Sequence, residues 1–323
     1  MDILVLGCSG VFLRRVLPAL NKCSNIEMIH VASKNKSFSD IDLNSSAKIG
    51  LWFDDYVTAI NSSPAELVYI SLPNSLHFKW TKRALNAGLH VVVEKPATME
   101  LSDARYLVDL SVKKGLCLAE ATVWQYHPNV KRTKELISRS SDQLINVNAT
   151  FTVPHFDANN FRNFSKFGGG AFNDMSAYAA SIARVLFDEN PSGVSGKILA
   201  FDKSGEIDTK FEVRIKVGEY KVVKGLFGFG LGYKNKLVIS GNDFEYDLSR
   251  VFSPPSDIGI NLKTIISKSS TDKLSQGDSY TNFFESVLDT LYAPEKTKWS
   301  DIMLQDALVT NQIKESFKAS KEI

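Results

Sequence analysis

Short apolar runs alternate with longer amphipathic segments along the first third of the chain. Runs such as residues 3–6 and 67–70 contain only apolar side chains or nearly so, as buried strands of a parallel sheet do. Between the runs, Gly88 and Gly115 stand where amphipathic helices would end, a common position for glycine. The alternation predicts right-handed βαβ units and an α/β, doubly wound parallel sheet, that is, a Rossmann domain over residues 1–120.

The pattern changes near residue 120. Residues 144–153 form a long alternating stretch, and residues 167–187 place a triple glycine before an apolar helix. Closely spaced strand patterns joined by short turns then fill residues 197–248, which is typical of antiparallel pairing. Two helical patterns finish the chain. We therefore expect residues 121–323 to form a C-terminal α+β domain with a large, mostly antiparallel open sheet, with the last helix able to pack back on the first domain.

Composition narrows the class of protein. The chain has 323 residues, 44% of them apolar, and a net charge of +2, which predicts a globular protein without a polyanionic partner such as a nucleic acid. Its three cysteines are scattered and its apolar N-terminal run is short, so we expect a reducing compartment, no signal peptide and a cytoplasmic location. No run approaches the ~18 apolar residues of a membrane span. The five histidines show no paired ligand spacing, so no metal site is predicted.

A glycine turn follows the first apolar run. Gly7, Cys8, Ser9 and Gly10 separate it from a helical pattern that starts at Val11. Strand, glycine turn and helix are the context of a dinucleotide fingerprint, in which the helix N-terminus receives the pyrophosphate. Phe12 stands where that fingerprint has a small residue. This implies a rearranged turn or looser helix packing, and an ordinary tight turn is the alternative interpretation.

The loop after the second strand is basic. It reads Ser33, Lys34, Asn35, Lys36, where an NAD enzyme would carry an acidic residue for the ribose hydroxyl. A hydroxyl and two ammonium groups suit a 2′-phosphate, so NADP(H) is favoured over NAD(H). A solvated basic loop is the alternative.

Two groups of residues could perform chemistry. Lys95 lies between Glu94 and Pro96, directly after the apolar strand at residues 90–93, and proline ends sheet pairing there. Ligands of parallel sheets bind at that end of the strand, although a surface lysine would also fit.

Asp174 and Tyr178 stand four residues apart and so share one helical face. An ammonium group near a phenol, whose unperturbed pKa is about 10, favours the phenolate. Lys95 with Tyr178 would then donate a proton to a carbonyl that receives hydride; a half-buried structural tyrosine is the alternative.

These motifs together resemble the glucose–fructose oxidoreductase, inositol dehydrogenase and rhizopine catabolism family (Gfo/Idh/MocA). The resemblance rests on GCSG at 7–10, PNSLH at 73–77, EKP at 94–96, YHP at 126–128 and GGGAFNDMSAY at 168–178. Tyrosine at position 178 and the segments at 8–20 and 248–257 are most similar to the nucleotide-sugar 3-ketoreductase branch.

The resemblance implies a set of site residues. The catalytic residues would be Lys95 and Tyr178. Cofactor-binding residues would be Gly7, Cys8, Ser9, Gly10, Val11, Ser33, Lys34, Leu72, Pro73, Asn74, His77, Glu94, Lys95, Pro96 and Gln125, the last standing where the family often has arginine. Substrate-binding residues would be Lys95, Tyr126, His127, Arg162, Asp174, Tyr178 and Tyr233.

The implied function is an NAD(P)H-dependent oxidoreductase that reduces a keto group of a sugar, expected to be a nucleotide-linked deoxy-keto-hexose. A dehydrogenase that oxidises a free polyol, sugar or dihydrodiol is one alternative, and a non-catalytic NADP-binding regulator is another. The resemblance also implies a homodimer or homotetramer formed through the C-terminal sheet.

Overall fold

The computed structural model describes residues 1–37, 48–254, 259–266 and 269–319. The chain divides into two compact units: unit 1 is Met1–Ala121 with Tyr280–Gln305, and unit 2 is Thr122–Ser279 with Asp306–Ile323. A weak helix that the sequence predicts at residues 38–49 lies almost entirely outside the described residues, as does the end of the 248–257 segment.

The strands form two sheets. Those of the first are β1 (Ile3–Leu6), β2 (Ile29–Ala32), β3 (Ile49–Phe53), β4 (Leu67–Ile70), β5 (His90–Val93) and β6 (Leu118–Glu120). Those of the second are β7 (Ile145–Val153), β8 (Gly193–Phe201), β9 (Asp208–Val217), β10 (Lys221–Phe229), β11 (Lys234–Ser240), β12 (Phe244–Ser249), β13 (Ile260–Ile266) and β14 (Ser269–Ser275).

The helices are α1 (Leu17–Lys22), α2 (Tyr56–Ser62), α3 (Asn74–Asn86), α4 (Leu101–Lys114), α5 (Pro128–Ser138), α6 (Ala171–Phe187), α7 (Ser279–Thr290) and α8 (Thr297–Ala319). A π-helical turn, Phe12–Val16, precedes α1 directly.

The first sheet is parallel throughout, with strand order β3-β2-β1-β4-β5-β6. This is the doubly wound order, in which connections leave the sheet in opposite directions on either side of β1 and β4. Every residue of strands β1, β4 and β5 is buried, because helices cover both faces of such a sheet. The predicted Rossmann domain is confirmed.

Phe12 explains why the glycine turn departs from the usual fingerprint. The residue is completely buried, and the helix opens with the wider π-helical turn instead of a regular α-helical one. Single π-turns of this kind occur often at functional sites. The structure therefore shows the rearranged turn that the sequence left as one of its interpretations.

The second sheet has the order β14-β13-β12-β11-β7-β10-β9-β8. Its pairs are antiparallel except β7 with β10, which run parallel. Helix α6 packs across β9 and β10 and contributes side chains such as Met175 and Ile182 to the core of unit 2. The predicted large, mostly antiparallel sheet is confirmed.

Two strands of the second sheet have no counterpart in the sequence prediction. Strand β13 alternates only in its first half, and β14 is a serine-rich strand whose side chains are almost all exposed. Both are held by backbone pairing, β13 to β12 and β14 to β13. Hydrophobic periodicity could not identify a strand that buries so little apolar surface.

Candidate functional site

Several predicted site residues lie at one edge of the first sheet. Gly7 follows β1, Ser33 follows β2, Leu72 follows β4 after one intervening residue, and Glu94 follows β5. Because all the strands are parallel, their carboxyl ends meet at the same edge, which is where ligands of doubly wound folds bind.

The glycine loop and the loop after β4 approach each other closely. Gly7 has a φ of +99°, and a Cβ atom added to it would lie 2.5 Å from the carbonyl oxygen of Ser71. Only glycine fits this backbone conformation and this spacing. The loop thus offers a cradle of backbone ahead of a helix start, and a dinucleotide pyrophosphate fits such a cradle.

Ser9 fixes the shape of this cradle. Its Oγ atom accepts the backbone N–H of Phe12 at 3.0 Å and lies 2.6 Å from the Oγ atom of Ser71. Cys8 is buried at its side, and Val11 is the last residue before the π-helical turn. The loop is therefore tied both to its own helix and to the neighbouring strand.

The basic loop after β2 is also ordered by local contacts. The buried Ser33 hydroxyl accepts the backbone N–H of Lys36 at 3.2 Å, and the Lys34 ammonium group lies 5.4 Å from the ring centre of Tyr56. These residues keep two lysines beside the strand end, as the prediction of a 2′-phosphate site requires.

The loop after β4 carries Leu72, Pro73 and Asn74, the last of which begins α3. His77 on the first turn of α3 is buried, and its ring bridges two backbone carbonyls. Nδ1 lies 2.7 Å from the oxygen of Pro96, and Nε2 lies 2.7 Å from the oxygen of Leu72. Burial lowers the pKa of His77, and the two carbonyls oppose that shift. The imidazole thus joins two predicted cofactor-binding segments.

The Lys95 segment is held by side chains from several elements of unit 1. The peptide bond between Lys95 and Pro96 is cis. The backbone N–H of Ala97 donates to Oε2 of Glu120 at 2.7 Å. Glu94 accepts hydroxyl groups from Tyr69 at 2.6 Å and from Tyr280 at 3.2 Å. The lysine therefore projects from a backbone fixed on both sides.

In unit 2, two predicted substrate-binding residues pair with each other. The Arg162 Nε atom lies 3.0 Å from the Asp174 Oδ2 atom, and the guanidinium group also lies over the rings of Phe156 and Phe161. Asp174 is buried and sits in the first turn of α6. The pair forms a fixed polar surface that could orient sugar hydroxyls.

Tyr178 lies one turn further along α6. Its ring packs against Phe151 and Phe252, with ring centres 5.3 and 5.5 Å away, and only 9% of the residue is exposed. Aromatic packing therefore fixes the ring without using the phenol group.

Gln125 and Tyr126 lie in a short 3-10 turn, Val123–Tyr126. The Gln125 carbonyl oxygen accepts from Arg184 at 3.0 Å, and Arg184 also makes a two-bond ion pair with the buried Asp306 at 2.9 and 2.5 Å. Burial raises the pKa of Tyr126. Arg184 thereby holds the predicted cofactor-binding amide in one orientation.

The remaining two predicted substrate-binding residues have different surroundings. His127 is completely buried, and its Nδ1 atom accepts the backbone N–H of Asn129 at the start of α5. Tyr233 is 52% exposed just before β11. Their substrate contacts stay predictions, and for His127 the structure also shows a helix-capping role.

The sequence analysis did not single out several residues that shape these sites. Tyr69, Glu120 and Tyr280 hold the Lys95 segment, and Arg14 lies beside the glycine loop, where its Nη1 atom would be 3.0 Å from a Cβ on Gly10. Tyr69 had a usable signal, because a hydroxyl inside an otherwise apolar strand needs a buried partner. For Tyr280, whose partner is 186 residues away, the sequence offered none.

Two further features are absent from the described part of the chain. None of its helices combines the length and apolarity required to cross a membrane. Within the same residues, no group of three or more His, Cys, Asp or Glu side chains is arranged to hold a metal ion.

The chain is similar in sequence to known sugar reductases and dehydrogenases. It is 29% identical over 256 residues to the dTDP-3,4-didehydro-2,6-dideoxy-alpha-D-glucose 3-reductase of Streptomyces violaceoruber, across 78% of this chain and 73% of that protein. It is 29% identical over 183 residues to a D-xylose 1-dehydrogenase (NADP(+)) of Haloferax volcanii, across 56% of each chain.

The fold is similar to that of KijD10, a 3-ketoreductase from Actinomadura kijaniata whose crystal structure contains NADP and TDP-benzene. The TM-score is 0.86 at 22% sequence identity, across 98% of both chains. Residues 1–122 match the family GFO_IDH_MocA, described as an oxidoreductase family with an NAD-binding Rossmann fold. The resemblance seen in the sequence is therefore confirmed over residues 1–122, which match the NAD-binding Rossmann fold of this family.

Proposed function

We propose that this protein is an NADPH-dependent reductase of a keto group on a nucleotide-linked deoxy sugar. The observation that carries the proposal is Lys95, fixed directly after β5 at the cofactor edge of a Rossmann sheet. The similarity to dTDP-sugar 3-reductases over most of the chain supports the substrate class.

The cofactor proposal rests on the two loops at the sheet edge. The cradle formed by Gly7 and Ser9 fits the pyrophosphate, and Ser33 and Lys34 provide a hydroxyl and an ammonium group where the 2′-phosphate would bind. Arg14 adds a guanidinium group beside Gly10, and guanidinium groups bind phosphate strongly. The NADP bound in the similar KijD10 structure supports the same cofactor.

In the proposed mechanism, Tyr178 and Lys95 handle the proton. When bound, the reduced nicotinamide supplies a hydride to the carbonyl carbon of the sugar. The carbonyl electron pair moves onto oxygen, and the Tyr178 phenol gives that oxygen its proton and becomes a phenolate. The Lys95 ammonium favours this phenolate and polarises the carbonyl. Solvent then returns a proton to Tyr178, and the keto group of the sugar has become a hydroxyl group.

Arg162 and Asp174 would orient the substrate for this step. Their ion pair presents a carboxylate and a guanidinium group on the face of α6 that also carries Tyr178. Correct placement of the carbonyl relative to a proton donor is a major source of rate acceleration.

The Tyr178→Phe variant tests the proposal. Removing the general acid should lower kcat with a keto-sugar nucleotide by about 10²-fold or more, while the ring stays packed between Phe151 and Phe252. Fluorescence titration should give the same NADPH affinity for the wild-type protein and the Tyr178→Phe variant. Both proteins should bind NADH more weakly than NADPH.

Tyr246→Phe is a suitable control, because that ring stacks on Phe244 in β12 outside the proposed site. Near-normal turnover of the Tyr178→Phe protein would contradict the assignment of the proton donor.

A second candidate is a dehydrogenase that oxidises a free aldose with NADP⁺. The similarity to a D-xylose 1-dehydrogenase favours it, over a smaller part of the chain. Absorbance assays in both directions, with keto-sugar nucleotides and with free aldoses, separate the two candidates.

We also propose that two copies of the protein meet through the open face of the second sheet. A groove of about 520 Å³ crosses β7, β8, β9 and β10 there, lined in part by Lys197, Glu212, Arg214 and Leu226. We propose likewise that the first domain ends near residue 120.

A further inference from the structure

Glu94 accepts two hydroxyl groups on a single oxygen. Its Oε1 atom lies 2.6 Å from the hydroxyl of Tyr69 and 3.2 Å from that of Tyr280. Tyr69 is completely buried in β4, where its ring packs edge-on against Phe284 of α7. Tyr280 lies in the first turn of α7. Two elements far apart in the chain thus converge on the residue beside Lys95.

The hydrogen bonds continue to the glycine loop. The Tyr69 hydroxyl also interacts with Ser71, whose Oγ atom lies 2.6 Å from that of Ser9, and Ser9 accepts the N–H of Phe12. One connected set of hydroxyl groups therefore joins the proposed pyrophosphate cradle to Glu94.

Other groups already hold the backbone around Lys95. His77 binds the carbonyl of Pro96, and Glu120 binds the N–H of Ala97. The tyrosine pair binds the side chain of Glu94 and not the main chain. What it fixes is the carboxylate of Glu94.

The Glu94 carboxylate depends on its hydrogen-bond donors to keep its negative charge. The pKa of Glu94 lies above its ordinary value because burial raises it, and the Tyr69 hydroxyl, Lys95 and the Tyr280 hydroxyl each act to lower it again. A buried carboxylate without donors would take up a proton and lose its charge. These three residues are the charged and titratable groups that face Glu94 from β4, β5 and α7 among the described residues, and His77 of α3 faces Lys95.

We propose that Tyr69 and Tyr280 are positioning residues that hold the Glu94 carboxylate as a fixed negative charge beside Lys95. The fixed charge keeps Lys95 an ammonium ion throughout the reaction. This inference rests on the proposed function, because the catalytic role of Lys95 belongs to it. It assigns a part in the reaction to Tyr280, a residue of α7 that follows both sheets in the chain.

Two variants remove the arrangement in steps. Glu94→Gln keeps the shape of the side chain but not its charge, and Tyr280→Phe removes one donor. The measurement is kcat for keto-sugar reduction between about pH 6 and about pH 10, with NADPH affinity measured by fluorescence.

Glu94→Gln should lower kcat about 10-fold or more and move the alkaline limb of the profile about one pH unit lower, since the ammonium loses a neighbouring carboxylate. Tyr280→Phe should shift the limb in the same direction by a smaller amount. NADPH affinity should change by less than about 3-fold in the Tyr280→Phe variant.

The matched control is Tyr292→Phe. Tyr292 lies in the same unit, its side chain is largely exposed, and its hydroxyl donates to Glu66 at 2.6 Å. Loss of this hydroxyl should leave the pH profile of kcat unchanged. A purely structural role for Tyr280 would lower stability without moving the alkaline limb.

The outcomes separate this inference from the proposed function. If Lys95→Met keeps its activity, the proposed function fails. If Lys95→Met is inactive while Tyr280→Phe and Tyr69→Phe keep the wild-type pH profile, only the positioning role is overturned. These two tyrosine variants give that answer even if Glu94→Gln does not fold.

Discussion

At the scale of a single residue, His127 shows how burial sets a charge. The side chain has no exposed surface, and Nδ1 accepts the N–H of Asn129, so the neutral ring carries its proton on Nε2. Burial lowers the pKa of His127 from 6.5 to about 4. The folded protein therefore keeps this ring neutral at pH values where the unfolded chain would protonate it.

The linked prediction concerns stability in acid. The contribution of His127 is fully present above about pH 6.5 and is lost as the pH falls toward about 4, because only the unfolded state takes up the proton in that window. Between pH 7 and pH 5 the loss should be about 2 kcal/mol. His127→Asn keeps a capping oxygen, so urea unfolding at the two pH values should show a smaller difference for this variant.

His155→Asn is the control for that measurement, because His155 is an exposed histidine of the same unit. Equal acid losses in wild type and His127→Asn would contradict the assignment of the effect to His127.

At the scale of an element, α6 depends on a cap from another part of the chain. The helix begins after Gly170, which has a φ of +105° and offers no side-chain cap. The carboxylate of Asp208, at the start of β9, accepts the N–H of Phe172 at 2.6 Å instead. Burial raises the pKa of Asp208 to about 6, and the N–H groups of Phe172 and Ala171 oppose that shift. The helix that carries Asp174 and Tyr178 is thus anchored to the sheet.

Asp208→Ala should lower the free energy of unfolding by about 1–2 kcal/mol, because buried N–H groups at the helix start lose their acceptor. Chemical denaturation at neutral pH measures the change. Glu206→Ala, an exposed carboxylate in the preceding turn, should leave stability within about 0.5 kcal/mol of wild type. Equal stabilities of the two variants would refute the cap.

The helix itself could be predicted, but its anchor could not. The apolar period of residues 171–187 and the glycines before them are local signals. Asp208 is 36 residues from the N–H that it caps, and no spacing rule relates the two positions. The same holds for Arg184 and Asp306, which are 122 residues apart and pair inside unit 2.

At the scale of the whole molecule, the second sheet presents one face to its core and one to its surroundings. Val213 and Ile215 of β9 are buried, whereas Glu212 and Arg214, which alternate with them along the strand, are exposed. Such a broad open face, with a groove across four strands, suits self-association of two equal surfaces.

If the proposed interface forms through this face, Arg214→Glu should shift the protein toward monomers in sedimentation velocity, because it would bury a reversed charge there. Lys113→Glu, which reverses an exposed charge on α4, should leave the distribution unchanged. A monomeric wild-type protein at micromolar concentration would end the proposal.

The local sequence was sufficient for the strand–loop–helix order of the first unit, the sheet-rich second unit and the positions of Lys95, Asp174 and Tyr178. These features follow from glycine and proline stops and from apolar periods of 2 and 3.6 residues, which act over a few neighbours.

The folded chain alone revealed the pairing of β13 with β14, the Asp208 cap and the Tyr69–Glu94–Tyr280 hydrogen bonds. The Asp208 cap and the Glu94 hydrogen bonds satisfy buried polar groups with partners that are distant in sequence. The pairing of β13 with β14 satisfies backbone polar groups in strands that bury little apolar surface. Such partners are selected by packing, and packing leaves no periodic trace along the chain.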